Sequence, residues 1–277
     1  MVQWKAILYM ALSALSFAIM DVFLKYVGHF GGMRLVFFRS IASVLIGYTY
    51  LKYNGISVWG NQPKLLISRG IIGCTSMFLF FSAISLLPIG SAVSIRYLAP
   101  IFTAIFAIFI LKEKVYPLQW IFFLLAFLGV IMLKGFDIRI GSVGLILMIG
   151  SAFFSGWVYI IIRAIGTRDH PVVIVNYFMC ICLLAGGLYT LFNWQQPDGD
   201  EWLILLSLGV FGYLGQIFMT MGIQLEEASR IAPFKYLEVI FVILIAYGWF
   251  GETYNFLSLL AIGLIIFSLI LNVFYKR

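Results

Sequence analysis

The sequence predicts an all-α membrane protein with ten transmembrane helices, arranged as two inverted five-helix repeats. Three observations predict this fold: the composition, a series of apolar stretches of spanning length, and an internal repeat. Of the 277 residues, 63% are hydrophobic and 10% are charged. Soluble domains carry about 45–50% apolar and about 25% charged residues. We therefore expect lipid to be the main solvent of this chain.

The apolar stretches have the length of membrane-spanning helices, which need about 20 mostly apolar residues. The connections between them are too short to hold a soluble domain, and we interpret the first stretch as a retained helix because similar stretches follow it. The predicted helices are Ala6–Val27, Met33–Leu51, Leu65–Leu86, Ala92–Leu111, Pro117–Lys134, Gly141–Ile165, Val172–Phe192, Glu201–Gln224, Ile231–Phe250 and Asn255–Phe274.

The basic residues of the connections predict the orientation, because cytoplasmic loops are enriched in lysine and arginine. This bias explains the net charge of +7 better than nucleic-acid binding does. It predicts that both termini are cytoplasmic, in a plasma (inner) membrane. The predicted inner side holds Lys5, Lys52, Lys64, Arg69, Lys112, Lys114, Arg163, Arg168, Arg230, Lys276 and Arg277, and the outer side holds Lys25, Arg34, Lys134 and Arg139.

An internal repeat divides the chain into predicted halves 1–137 and 138–277. A shift of 139 places Arg96-Tyr97-Leu98 on Lys235-Tyr236-Leu237 and Glu113 on Glu252. Each half contains five predicted helices, so the second half enters the membrane from the opposite side. Other matches are Gly70 and Gly73 with Gly209 and Gly212, and, at a shift of 138, Ser13 with Ser151.

These features resemble the EamA-type branch of the drug/metabolite transporter superfamily. The resemblance is carried by the segments 98–113 and 236–252, each an apolar run that ends in a glutamate. It implies a ten-helix carrier that exports or exchanges metabolites, amino acids or drugs, with a cavity lined mainly by helices one, three, four, six, eight and nine. Val239 stands where the first half has Pro100, so only the first half is expected to have a proline-kinked fourth helix.

Ionisable residues inside spanning helices cost about 2.5–3.5 kcal/mol each on insertion scales, and they usually face a cavity or a partner. We predict a substrate path lined by Arg96 and Lys235, with Asp21 as a further substrate-binding residue and Glu238 as the residue that couples transport to protons. The alternative is that Arg96 and Lys235 snorkel to the nearer membrane surface. Arg39 is either a partner of Asp21 or a structural clamp at a helix end.

Neutral polar and aromatic residues within the helices extend the candidate site, since buried hydroxyl and amide groups in lipid need partners. Packing between helices is the alternative role for each aromatic residue. The additional candidate substrate-binding residues are Trp157, Tyr159, Tyr213, Gln216, Tyr97 and Tyr236.

The distribution of histidine and cysteine argues against an enzyme. His29 and His170 fall in loops on opposite faces, and the three cysteines lie inside apolar stretches. We therefore expect no catalytic group, no cofactor and no metal.

The sequence favours a secondary transporter that moves a small anionic or zwitterionic, amino-acid-like metabolite by alternating access, as an exporter or exchanger. An exporter of organic cations or drugs, a channel and a lipid-linked precursor flippase remain open. The expected partners are the substrate, the lipid bilayer and, where transport is coupled, protons; nucleic acid is not expected. The protein is expected to be a monomer or a homodimer.

Overall fold

The computed structural model describes residues 4–111, 117–225 and 236–275. Within these ranges the chain is helical, with no β-strand. The helices are α1 (Trp4–Tyr26), α2 (Gly32–Tyr53), α3 (Pro63–Ile84), α4 (Ile89–Arg96), α5 (Ala99–Leu111), α6 (Pro117–Phe136), α7 (Ser142–Ile165), α8 (Pro171–Phe192), α9 (Glu201–Leu225), α10 (Leu237–Phe250) and α11 (Phe256–Tyr275).

In the described residues, seven helical stretches are long and apolar enough to cross a membrane, with α4 and α5 counted together as Ile89–Ile110. Three shorter apolar stretches, within α6, α10 and α11, accompany them. Apart from the fourth and ninth predicted helices, the helix ends lie within two residues of the predicted ones. The predicted start of the ninth helix, residues 231–235, lies outside the described ranges.

The fourth predicted helix is interrupted rather than continuous. α4 ends at Arg96, and α5 begins at Ala99 with Pro100 in its first turn. Proline lacks the backbone N–H and disfavours helical geometry in the residue before it. The chain crosses the gap in tight turns, in which the Leu98 N–H donates to the Ile95 carbonyl at 3.0 Å. The kink predicted from Pro100 is thus a full break beside Arg96.

Packing joins helices from the two predicted halves. α1 packs against α9, α2 against α8, α3 against α7, α4 against α10, and α6 against α11. Each of these pairs combines one helix from residues 1–137 with one from 138–277. The interior therefore lies between the two halves and is built from both.

Close helix approach depends on glycine at particular positions. A methyl group added at Gly209 of α9 would lie 2.7 Å from the backbone carbonyl of Arg39 on α2. The absence of a side chain there lets the two backbones approach closely. The Ser43 hydroxyl of α2 consequently donates to the Gly209 carbonyl at 2.8 Å.

Candidate functional site

An ion cluster lies in the interior where α1, α4 and α10 meet. Arg96 is the last residue of α4, and its guanidinium forms an ion pair with Glu238 in the first turn of α10. The Asp21 carboxylate of α1 lies 3.7 Å from the same guanidinium nitrogen. Both carboxylate side chains are 0% exposed, and the Arg96 side chain is 15% exposed. Two acidic groups hold Arg96 in the interior, so the snorkelling interpretation of Arg96 is wrong.

The break between α4 and α5 positions aromatic groups around this cluster. A side-chain hydrogen bond joins Tyr97 to Glu238. The Tyr97 ring meets the Tyr236 ring edge to face, with centroids 5.0 Å apart. Tyr159 of α7 interacts electrostatically with Arg96. These residues, which the sequence only suggested individually, thus surround one buried ion pair.

An aromatic ring also packs on the Arg96 guanidinium. Its Cζ lies 4.0 Å from the centroid of the Phe80 ring on α3. A cation over an aromatic face is stabilised by the electrostatics of the ring. Arg96 is therefore held by two carboxylates and one ring, on side chains from α1, α3 and α10.

A second interior cluster contains Arg69, which was predicted among the basic residues of the inner side. Arg69 is only 2% exposed. Its guanidinium lies 4.0 Å from the centroid of the Phe178 ring of α8. One of its nitrogens donates to the Gln216 side-chain oxygen of α9 at 3.2 Å. Because α3 begins at Pro63, Arg69 lies about 9 Å along the helix at 1.5 Å per residue, and its side chain is buried in the interior.

Arg39 of α2 lies in the same part of the interior and is 2% exposed. Its guanidinium contacts the Met77 sulfur, and it donates to the Gly212 carbonyl of α9 at 3.4 Å. It interacts electrostatically with Asp21 and with Arg69, which links the two clusters. Among the described residues, no carboxylate lies within salt-bridge distance of Arg39 or Arg69.

The remaining candidates within the described residues, Tyr213, Trp157 and Gln216, lie apart from the ion cluster. Tyr213 is buried in α9, facing Gly47 of α2. Trp157 is 37% exposed and packs on Phe106 of α5, with ring centroids 5.5 Å apart. Lys235 lies outside the described residues. Of these candidates, Gln216 alone joins a buried charge, through its hydrogen bond with Arg69.

The α4 end that lies away from Arg96 is joined to the loop between α10 and α11. The backbone N–H of Ile89 donates to the Glu252 carboxylate at 3.1 Å, and that of Gly90 donates to the Tyr254 hydroxyl at 2.9 Å. The Tyr254 hydroxyl itself donates to Glu252 at 2.8 Å. Burial, together with the neighbouring Glu252, raises the pKa of Tyr254. The free N–H groups of the α4 start are thus satisfied by groups from the second half.

Comparisons with known proteins identify the family of this chain. A model of the EamA-like transporter family matches residues 4–134 and, separately, residues 142–274. Solute carrier family 35 member G1 of Homo sapiens is 29% identical over 88% of this chain and 72% of that protein. The pseudopaline exporter CntI of Pseudomonas aeruginosa is 27% identical over 88% of this chain and 86% of that protein.

Two further similarities cover most of the chain. The S-adenosylmethionine uptake transporter of Rickettsia prowazekii is 25% identical over 87% of this chain and 83% of that protein. A solved crystal structure with 18% sequence identity superposes with a TM-score of 0.75 and covers 98% of this chain and 97% of its own. The structural match, at this identity, concerns the fold.

The apolar helices and the family match define an integral membrane transporter of a small molecule, and not an enzyme. The chain belongs to the EamA-like transporter family, whose model covers nearly its whole length.

Proposed function

We propose that the protein is a secondary transporter that works by alternating access, with ten spanning helices in two inverted halves. Its substrate is a small anionic or zwitterionic metabolite, which it exports or exchanges. One observation carries the proposal: contacts between the halves recur when the two halves are exchanged. Two such halves have two related packings, one open to each side of the membrane.

A pair of serine hydrogen bonds illustrates this exchange. The Ser13 hydroxyl of α1 donates to the Gly215 carbonyl of α9 at 2.8 Å. The Ser151 hydroxyl of α7 donates to the Ser76 carbonyl of α3 at 2.9 Å. Position 13 plus 138 is 151, and position 215 minus 139 is 76, so donor and acceptor are both related by the sequence repeat. The same bond thus recurs with the roles of the halves reversed.

Glycine contacts follow the same rule. A methyl group at Gly209 would meet Ala42, and one at Gly70 would meet Ile181. A shift of 139 relates Gly70 to Gly209, and it also relates Ala42 to Ile181. The two separate family matches, residues 4–134 and 142–274, agree with these halves. The halves therefore supply each other with equivalent packing surfaces.

The ion pair between Arg96 and Glu238 suits a coupling role because its members belong to different halves. Rocking of one half against the other changes their separation, so the pair breaks and re-forms in each cycle. Protonation of Glu238 would neutralise its carboxylate and weaken the pair, and this is how we propose that protons are coupled to transport. Arg96 would then be free to contact a substrate carboxylate.

The proposed orientation places both termini in the cytoplasm of a cell whose plasma membrane holds the protein. Removing the buried Arg69 from the basic residues assigned to the inner side still leaves ten against the four on the outer side. The positive-inside rule therefore gives the same orientation whether or not Arg69 is counted.

Paired single-cysteine variants test the inverted repeat. Ser57 and Gln196 are exposed and repeat-related, since 57 plus 139 is 196. We expect Ser57→Cys to react with a membrane-impermeant maleimide from the cytoplasmic side only, and Gln196→Cys from the other side only. Labelling of both from one side would refute the inverted arrangement. The background is a variant without Cys74, Cys180 and Cys182, which serves as the unlabelled control.

Counterflow in proteoliposomes tests the transport mode. We expect vesicles loaded with unlabelled glutamate or succinate to accumulate labelled glutamate or succinate transiently, with a saturable rate. A carrier gives this overshoot because loaded forms exchange across the membrane, whereas a channel only equilibrates its solute. Choline in place of the anion tests the organic-cation alternative. Counterflow with choline but with neither anion would overturn the proposed substrate class.

A further inference from the structure

The two buried arginines Arg39 and Arg69 carry donor groups that the protein leaves unused. Among the described residues, Arg39 Nε and both Nε and Nη1 of Arg69 have no hydrogen-bond acceptor. Both side chains are almost completely buried. Buried polar groups are generally hydrogen-bonded, and those that are not need an explanation. An acceptor that binds there is the simplest one.

The charges of the described cluster also leave room for an anion. Asp21 and Glu238 supply two carboxylates, and both lie against Arg96. Adding Arg39 and Arg69 gives three guanidiniums for two carboxylates in this described part of the interior. Unpaired charge is costly within a membrane, which favours a bound counter-charge.

Arg39 and Arg69 lie within electrostatic range of each other and of Cys182. Cys182 lies at the middle of α8 and interacts electrostatically with both Arg39 and Arg69. Arg39 belongs to α2 and Arg69 to α3. A group bound between them would lie among α2, α3 and α8, in the interior that both halves build.

Two glycines provide the space that the guanidiniums occupy. A methyl group at Gly73 would meet Arg69 Nη1, and one at Gly212 would meet Arg39 Nε. The two glycines are repeat-related, because 73 plus 139 is 212. Guanidinium groups bind carboxylate and phosphate oxygens through paired N–H donors, a geometry that lysine does not supply.

We propose that Arg39 and Arg69 together bind a carboxylate or phosphate group of the transported substrate. That this group belongs to a transported substrate rests on the proposed function, but the binding of an oxyanion by these residues does not. Arg96 lies outside this subsite, because its guanidinium is paired with Glu238 and Asp21. The substrate is accordingly a compact metabolite with at least one oxyanion group.

Thermal unfolding of the purified full-length protein in detergent tests this subsite. The probes are succinate and inorganic phosphate, each titrated against sodium chloride of equal ionic strength. We expect at least one probe to raise the unfolding temperature with a saturable concentration dependence, and the effective probe identifies the group as carboxylate or phosphate. Arg39→Gln and Arg69→Gln should each weaken the apparent affinity about 30-fold or more, equivalent to about 2 kcal/mol.

Lys64→Gln is the matched control, because Lys64 is an exposed cation on the same helix as Arg69. It should leave the affinity for the probe unchanged. Arg39→Lys keeps the positive charge but loses the paired N–H donors of the guanidinium, so this variant should bind the probe more weakly than the wild type. If Arg39→Gln does not fold, the comparison of Arg39→Lys with the wild type decides the question.

The absence of saturable stabilisation of the wild type by either probe would overturn the proposal, as would equal losses in Lys64→Gln and Arg69→Gln. Saturable binding that depends on Arg39 and Arg69, without counterflow in proteoliposomes, would support the subsite while refuting the transport mode. Counterflow without such binding would support the transport mode while refuting the subsite. The two proposals therefore fail separately.

Discussion

Arg96 and Glu238 are 142 positions apart in the chain and form an ion pair in the interior. Arg96 ends α4 directly before the break that Pro100 produces, and Glu238 lies in the first turn of α10. The pair is thus the ionic contact between the ends of two helices from different halves. Any rearrangement of the halves must act on it.

Replacing Glu238 with Gln is expected to remove the pH dependence of transport and to lower the rate at neutral pH about tenfold or more. The amide keeps the size of the side chain but cannot exchange a proton or pair with Arg96. Loss of one member of a buried ion pair also destabilises the protein, typically by about 3–5 kcal/mol when the other charge stays buried. Counterflow at several pH values and thermal unfolding in detergent measure the two effects.

The control for this experiment is Glu201→Gln, the same chemical change at a carboxylate that faces His29 outside the interior. It should leave transport and its pH dependence unchanged. A Glu238→Gln protein with the pH profile of the wild type would exclude Glu238 from coupling.

Ser13→Ala and Ser151→Ala are expected to destabilise the protein equally, by about 0.6 kcal/mol each, the average for hydrogen bonds between helices in membranes. Each change removes one of the two repeat-related bonds between a serine hydroxyl and a backbone carbonyl. The double variant should lose about the sum, because the two bonds lie in different helix pairs. Thermal unfolding measures these losses of stability. A large difference between the two single variants would argue against equivalent packing of α1 with α9 and of α3 with α7.

Gly209→Ala is expected to cost more stability than Gly70→Ala, although the two positions are repeat-related. The new methyl group at 209 would lie 2.7 Å from the Arg39 carbonyl, which belongs to the rigid backbone of α2. At position 70 the new methyl group would meet the Ile181 side chain, which can rotate away. Overpacking against backbone costs about 1–3 kcal/mol, and we expect less than half of that for Gly70→Ala. Equal losses in unfolding temperature would contradict this difference.

His170 is expected to make stability fall as the pH drops from about 7.5 to 5.5. Its Nδ1 accepts the Val172 N–H at 3.3 Å and caps the start of α8. Partial burial lowers the pKa of His170 below its ordinary value of 6.5, so the folded protein binds its proton less readily than the unfolded chain. The stabilisation is therefore complete above pH 6.5 and is lost as the pH falls through the pKa of the folded state.

His170→Asn should abolish this pH dependence because asparagine caps helices without titrating there. The effect in the wild type should be about 0.5–1 kcal/mol, in the range measured for helix caps. His29→Asn leaves this cap intact and serves as the comparison. If His170→Asn and the wild type lose the same stability between these pH values, the cap is not the titrating element.

The helices and the break at Pro100 follow from the sequence because both depend on local properties, apolar length and the missing proline N–H. The repeat also related Ser13 to Ser151. The partner carbonyls could not be predicted, since they depend on which helices pack together. The contact between Arg96 and Glu238 could not be predicted for the same reason, since it depends on the packing of α4 against α10.

Arg69 shows a second limit of sequence interpretation. A basic residue near a helix end satisfies the positive-inside rule equally well whether it faces lipid headgroups or the interior. Only the packing of α3 against α8, which brings Phe178 over the guanidinium, distinguishes the two. Trp157 illustrates the converse: its position in the middle of α7 suggested an interior role, but the helix turns it towards Phe106 at the periphery.

The serine bonds of α1 with α9 and of α3 with α7 exist in both copies, but four of the interior charges do not. At the same shifts, Asp21 corresponds to Tyr159, Arg39 to Phe178, Arg69 to Leu208 and Glu238 to Ala99. Exchange of the two halves would therefore preserve these packing contacts but would not preserve the distribution of charge. A transmembrane voltage acts on these charges, so in the proposed carrier it favours one of the two packings of the halves over the other.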